Sequence, residues 1–317
     1  MRAAIGSLAL LFAFLHMWAA GGVDIVLMID NSGSMEENDP ADWRLKAANI
    51  IISYAHPDDR AAVIIFSDKP VSVNEEVGLE PLAWLDEDAK RRLTDRISRF
   101  TPKGDTDIIL ALKRAKEVLE GRAQKRTSLI FLLTDGEMHP PRGRYPDRNW
   151  ERYLAPVLGW FEEKELAVHG IALTAKADSP FLRGISNSTR GGYERIEEAK
   201  QIVDFYLEQY RAVTGEVVRY VEGGAVSLDL EEGQTLLELT FALLAEGGRG
   251  GITSLTCDGQ DMLAEAYRSH ISWDKPVPGS FHVVRLPHPR AGVWRLRAAG
   301  GEEMRIWAVS KLSPPSR

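Results

Sequence analysis

Ile25-Val26-Leu27-Met28-Ile29-Asp30-Asn31-Ser32-Gly33-Ser34 is the stretch on which the fold turns. Five consecutive apolar residues fit a strand covered on both faces. They end on a carboxylate and two hydroxyls in a tight turn, where Gly33 lets Ser32 and Ser34 face one point. Two further turns carry matching chemistry. Asp135 follows the apolar run Leu129-Ile130-Phe131-Leu132-Leu133 in Thr134-Asp135-Gly136-Glu137, and Thr106 stands in Gly104-Asp105-Thr106-Asp107 just before a helical pattern.

Working outward, the apolar runs 62–66 and 167–173 repeat the buried-strand signature. Helix-period faces lie between the runs: Leu45, Ala48, Ile52 and Ala55; Leu93, Ile97 and Phe100; and Ile108, Ala111, Leu112, Ala115 and Leu119. Gly191-Gly192-Tyr193 reads as a turn before a short last strand, and 197–210 as a closing helix. This alternation predicts an α/β domain over residues 23–212, with a doubly wound, mostly parallel sheet flanked by helices. Asp30 and Asp135 then both fall just past strand carboxyl ends, where open α/β sheets hold their ligands.

Asp30, Ser32, Ser34, Thr106 and Asp135 offer oxygen alone, without thiol or imidazole. That donor set suits a hard divalent cation, Mg2+ or Mn2+, and argues against zinc. Hydroxyls would give neutral ligands and the aspartates negative charge, directly or through water. A cation so short of anionic ligands retains charge and an open position for an acidic group of another molecule. At these residues the chain resembles the von Willebrand factor A (integrin I-like) family: D-x-S-x-S at 30–34, Thr106 in Gly-x-Thr-Asp-Ile, and Asp135 in Thr-Asp-Gly look like the metal-ion-dependent adhesion site. The resemblance covers roughly residues 23–212. It implies that the serines coordinate the metal directly, that the threonine does so in the ligand-bound state, and that the aspartates often act through water.

After about residue 212 the pattern changes. Strand-like segments at 217–221, 225–230, 236–244, 252–257, 281–286, 293–296 and 304–309 are punctuated by Gly and Pro. Such spacing predicts an antiparallel β-sandwich over 216–312, with Trp294 in its core. Residues 1–22 carry one positive charge at Arg2, an apolar core and small residues at the end, which reads as a secretory signal. The alternative is an uncleaved anchor, which would leave almost no spacer before the first strand. It is the only route to a membrane that the sequence offers.

The chain has 317 residues, 44% hydrophobic and 27% charged, ordinary globular material of two-domain length. A formal charge of -7 and the lack of a basic stripe with interleaved aromatics argue against a nucleic-acid partner. Cys257 is the single cysteine, so no intramolecular disulfide exists, and it reads as a small buried hydrophobe. His169 reads as a core residue and Trp84 as a packing one. Asp105 and Asp107 read as solvated or capping groups, and Thr106 has an alternative role as a helix N-cap. Glu137, Arg142 and Arg144 are candidates for the rim that meets a partner, against the alternative of a solvated loop. Asn187-Ser188-Thr189 fits the glycosylation sequon.

Three functions follow. The first is an exported, metal-dependent binding module that captures an acidic residue of a protein ligand. The second is a structural or assembly subunit of an envelope complex. The third, a hydrolase, is disfavoured: an aspartyl phosphoryl-transfer site wants an acid where Ser32 stands, and no G-x-S-x-G, Walker or H-E-x-x-H motif is present.

Overall fold

A computed structural model describes residues 22–122, 126–135, 138–147, 149–173, 180–196, 199–214, 217–222, 224–230, 236–248, 250–274, 278–300 and 303–312. The proposed leader, apart from Gly22, and the rim candidate Glu137 lie outside the described residues.

The first unit comprises β1 (Asp24–Asp30), α1 (Met35–Asn38), α2 (Trp43–Tyr54), β2 (Arg60–Phe66), β3 (Pro70–Ser72), α3 (Val73–Glu76), β4 (Ala83–Trp84), α4 (Glu87–Ile97), α5 (Ile108–Glu120), β5 (Ser128–Thr134), α6 (Trp150–Glu163), β6 (Val168–Ala172), α7 (Pro180–Ser188), β7 (Tyr193–Arg195) and α8 (Ala199–Thr214). Its sheet runs β3-β2-β1-β5-β6-β7, with β4 also on β2. The pairs β2-β1, β1-β5, β5-β6 and β6-β7 are parallel, while β3 and β4 run antiparallel to β2. Alternate residues of β1 serve opposite faces. Ile25, Leu27 and Ile29 join one core with α2 and α8, and Val26 and Met28 join another with α5, α6 and α7. Covering both faces is why β1 is apolar throughout. The sheet is doubly wound, as its sequence pattern predicts.

The second unit is all β: β8 (Val217–Glu222), β9 (Ala225–Leu230), β10 (Leu236–Glu246), β11 (Gly251–Cys257), β12 (Gln260–Asp261), β13 (Tyr267–Trp273), β14 (Gly279–Pro287), β15 (Gly292–Ala299) and β16 (Glu303–Leu312). Two antiparallel sheets, β13-β14-β10-β16-β8 and β12-β11-β15-β9, enclose Phe241, Leu255, Cys257, Leu286, Trp294 and Ile306. This is a sandwich. Both Cys257 and Trp294 sit in its core, as their sequence context predicts.

Three strands of the five-stranded sheet, β10, β14 and β16, are buried on both faces. Ala242, Leu244, Phe281, Val283, Trp307 and Val309 point away from the other sheet and join the core built by α2 and α8. Polar ties reinforce this junction. His56 Nε2 lies 2.7 Å from Glu238, Arg285 reaches both Glu238 (3.3 Å) and the Ala55 carbonyl (3.3 Å), and Trp307 Nε1 donates to Asp204 at 2.8 Å. Burial raises the Glu238 carboxyl, but hydrogen bonding to His56 and the Arg285 charge outweigh it and hold the group down at about 2.

Several elements depart from the sequence reading. β13 has no counterpart in it, because Tyr267-Arg-Ser-His-Ile-Ser-Trp273 interleaves polar residues at an exposed sheet edge. α6 is hidden by Pro156 within its span, and α7 is masked by Gly184 and Pro180. Trp84 is 55% exposed rather than packed, and the guanidinium groups of Arg126 and Arg60 lie 5.0 and 5.6 Å from its ring. His169 is buried as read, and burial holds its imidazole down at about 4.

Candidate metal centre

Parallel β1 and β5 are neighbours, so Asp30 and Asp135, one at and one just after a strand end, reach the same edge of the sheet. The buried Asp30 carboxylate fixes its own turn: Oδ1 accepts the Ser32 backbone N–H at 2.8 Å, and Oδ2 accepts the Thr134 hydroxyl at 2.6 Å. Ser32 and Ser34 hydroxyls lie 3.1 Å apart, and Ser34 Oγ donates to Asp135 Oδ2 at 2.6 Å. Asn38 Nδ2 donates to the same oxygen at 3.0 Å. Four of the five residues singled out by sequence thus form one hydrogen-bonded cluster. Burial and the Asp135 charge raise Asp30 to about 6, against hydrogen bonds from Thr134 and Ser32 that lower it. Two carboxylates thus stand beside hydroxyl oxygens, an all-oxygen donor set of the kind a hard cation takes.

The loop that carries Thr106 is tied to this edge by its backbone at Lys103 and Gly104. Gly33 N–H donates to the Gly104 carbonyl at 2.9 Å, and Lys103 N–H donates to the Asn31 carbonyl at 2.8 Å, lacing the Thr106 loop to the serine turn. Gly104 has φ +79°, a left-handed backbone that L side chains rarely adopt, which favours glycine there. On its other side, Thr106 exchanges backbone hydrogen bonds with His139, at 2.7 and 3.0 Å. The α5 cap is Asp107, not Thr106: Asp107 Oδ1 accepts the Leu110 N–H at 3.0 Å. The Thr106 side chain is therefore not committed to capping. Asp107 is fully buried rather than solvated, and it accepts hydrogen bonds from Tyr145 Oη (3.0 Å) and Arg144 (3.1 Å).

Arg144 therefore binds inward, to Asp107 and the Asp68 carbonyl, and buttresses the Thr106 loop. Arg142 is exposed and has no partner among the described residues. The reading by motif also missed a second buttress. Arg44, fully buried at the start of α2, binds Asp39 (2.9 Å), Asp42 (2.8 Å) and Asn31 Oδ1 (3.1 Å), fixing the residue between Asp30 and Ser32. The run Asp39-Pro-Ala-Asp-Trp-Arg44 at a helix start was the available signal. Among the described residues no group of three or more His, Cys, Asp or Glu is placed to hold a metal, so any ion here depends on hydroxyls.

A curated relative, uncharacterized protein sll0103 of Synechocystis sp., is 26% identical over 193 residues, which is 61% of this chain and 42% of that protein. The chain thus spans about two fifths of that relative's length. Among solved structures, a von Willebrand factor type A protein from Catenulispora acidiphila aligns with TM-score 0.49 and 16% identity over 93% of this chain and 59% of its own. The pilus adhesin SpaC from Lactobacillus rhamnosus GG, in its open conformation, aligns with TM-score 0.47 and 16% identity over 92% of this chain and 39% of its own. The family model for the von Willebrand factor type A domain matches residues 25–137, the stretch that runs from β1 through the Asp135 turn and holds all five residues of the proposed site.

Proposed function

We propose that the chain is an exported, non-enzymatic binding protein that takes up an acidic group of a protein partner through Mg2+ or Mn2+ at the β1–β5 edge. Ser32, Ser34 and Thr106 would hold the ion, with Asp30 and Asp135 balancing its charge. The ion would supply a positive centre with room for one more oxygen ligand. The observation that carries the reading is the cluster in which Asp135, Ser34 and Ser32 oxygens lie 2.6 and 3.1 Å apart beside buried Asp30. The chain's own residues would set the charge through two carboxylates, Asp30 and Asp135. Among the described residues no helix is long and apolar enough to cross a membrane.

Mn2+ titration of the full chain, followed by electron paramagnetic resonance, tests the ion. Asp135→Ala and Ser32→Ala should each weaken Mn2+ binding at least tenfold, while circular dichroism stays unchanged. Undiminished Mn2+ binding in the double variant would sink the reading. Partner capture from the native source, abolished by chelator and restored by Mg2+, tests the second half.

A further inference from the structure

We infer that the free edge of β13 binds an extended segment of a partner protein as an added strand, in a cleft at the junction of the two units. This site is separate from the proposed ion site. β13 ends the five-stranded sheet: all seven residues pair with β14, and no described residue pairs with its other edge. A strand of that length offers roughly 23 Å of unpaired backbone. The edge carries a single charge, Arg268. Tyr267–Trp273 holds no Pro, no Lys and no Gly, and its register with β14 is unbroken. The other exposed edges among the described residues are shorter, down to two residues at β12 and three at β3 and β7.

A cavity of about 600 Å³ runs beside this edge, lined by Asn49 of α2, Arg91 and Thr94 of α4, and His270 and Trp273 of β13; its acids outside α4 are Asp42, which binds Arg44, and Asp274. A second, of about 450 Å³, extends it toward Arg268 and shares Arg91, Thr94 and His270. α2 packs on β13 and β14, and α4 packs on α2, so α4 faces the strand edge across the cleft. That wall selects the occupant. A second copy of the sheet edge would bring its own α4 with it and collide before pairing, whereas a lone extended segment fits. Backbone pairing supplies the affinity in such additions, and the flanking side chains supply the preference.

The charges refine the preference. The acids of α4 are already paired: Asp88 with Arg91 and Arg92, Asp95 with Arg99, and Glu87 with Lys90. Exposed Arg268 on β13 has no partner among the described residues. A carboxylate set opposite Arg268 would complete a cross-strand pair. The partner is thus an extended, polar segment of another protein with an acidic residue near one end.

The probe is a phage-displayed library of random linear dodecapeptides selected on the full chain. Recovered peptides should protect the amides of residues 268–273 from hydrogen exchange. N-methylation at alternate residues along one peptide edge should weaken binding at least about tenfold, and along the other edge leave it unchanged. Thr94→Trp, a plug on the cleft wall, should abolish binding, and Arg268→Glu should weaken acidic peptides up to about fivefold. EDTA should have no effect, which keeps this result independent of the ion. Failure to recover peptides, indifference to Thr94→Trp or to N-methylation, or a dimer in sedimentation velocity that Thr94→Trp dissolves would each overturn the inference.

Discussion

Replacing Arg44 with Met tests whether the serine turn is held by a buried ion pair. Arg44 and Asp39 both have fully buried side chains, 2.9 Å apart. Truncating the guanidinium leaves the Asp39 carboxylate with only the backbone N–H groups of Trp43 (2.7 Å) and Arg44 (3.0 Å). Removing one partner of such a pair costs about 3–5 kcal/mol, because a charge stays buried and uncompensated. At roughly 2–4 °C per kcal/mol this is a fall in Tm of roughly 6–20 °C. The pH dependence gives a second readout. Burial raises the Asp39 carboxyl above its ordinary value, against the opposing pull of Arg44. Without Arg44 it rises further. A carboxyl raised in the fold favours the folded state at low pH and disfavours it as pH climbs through the folded pKa. The deficit of Arg44→Met should therefore shrink as pH falls from 7 toward 4. The double variant Asp39→Asn/Arg44→Met should recover most of the loss at pH 7, since replacing a whole buried pair is often near neutral. Differential scanning calorimetry of the three variants at pH 5 and 7 measures all of this. A Tm fall below about 2 °C for Arg44→Met at pH 7, or a double variant no better than the single one, would refute the reasoning.

Asp30, raised to about 6, should make the ion-free protein lose stability as pH rises from 5 to 7; Asp30→Asn should flatten that slope in urea titrations. Glu238 behaves oppositely. Held down at about 2, it contributes stability above its unfolded value of about 4.3 that is lost as pH falls toward 2, so acid unfolding of Glu238→Gln should show a shallower slope between pH 4 and 2. Phe281→Ala, emptying a fully buried site in the core shared by both units, should cost about 3–5 kcal/mol and leave a single calorimetric transition; two separate transitions in the parent chain would contradict a shared core. Tyr145→Phe removes the hydroxyl bonded to buried Asp107, and should cost about 1–3 kcal/mol in stability while lowering Mn2+ affinity through the Thr106 loop.

The doubly covered strands were legible because burial on both faces demands unbroken apolar runs, and parallel β1 and β5 and antiparallel β10 display them. The run in β10 carried more than a strand assignment. Leu239, Phe241 and Leu243 face one core while Ala242 and Leu244 face another, so its lack of alternation already encoded a sheet sandwiched between layers. The cluster of Asp30, Ser32, Ser34 and Asp135 was readable from spacing, since strand ends fix where such turns go. Its supports were not. Arg44 with Asp39 and Asn31, and Asp107 with Arg144 and Tyr145, are pairings between segments whose approach only the folded chain defines. β13 escaped notice because an exposed edge needs no hydrophobic period. α6 escaped because Pro156 interrupts the local preference that packing of Leu154, Val157 and Phe161 overrides.

The double burial of β10, β14 and β16 bears on how this protein can be dissected. Cutting the chain after Thr214 would strip the cover from Tyr54, Tyr206 and their neighbours, and the separated sandwich would present Phe281, Val283 and Trp307 to water. Neither fragment is a fair proxy for the whole: each would carry a sticky flank that invites clumping and spurious capture. The same constraint acts on descent. Swapping either half for a foreign one would require a matching greasy seam, so the two are expected to have changed together rather than been shuffled as separate beads.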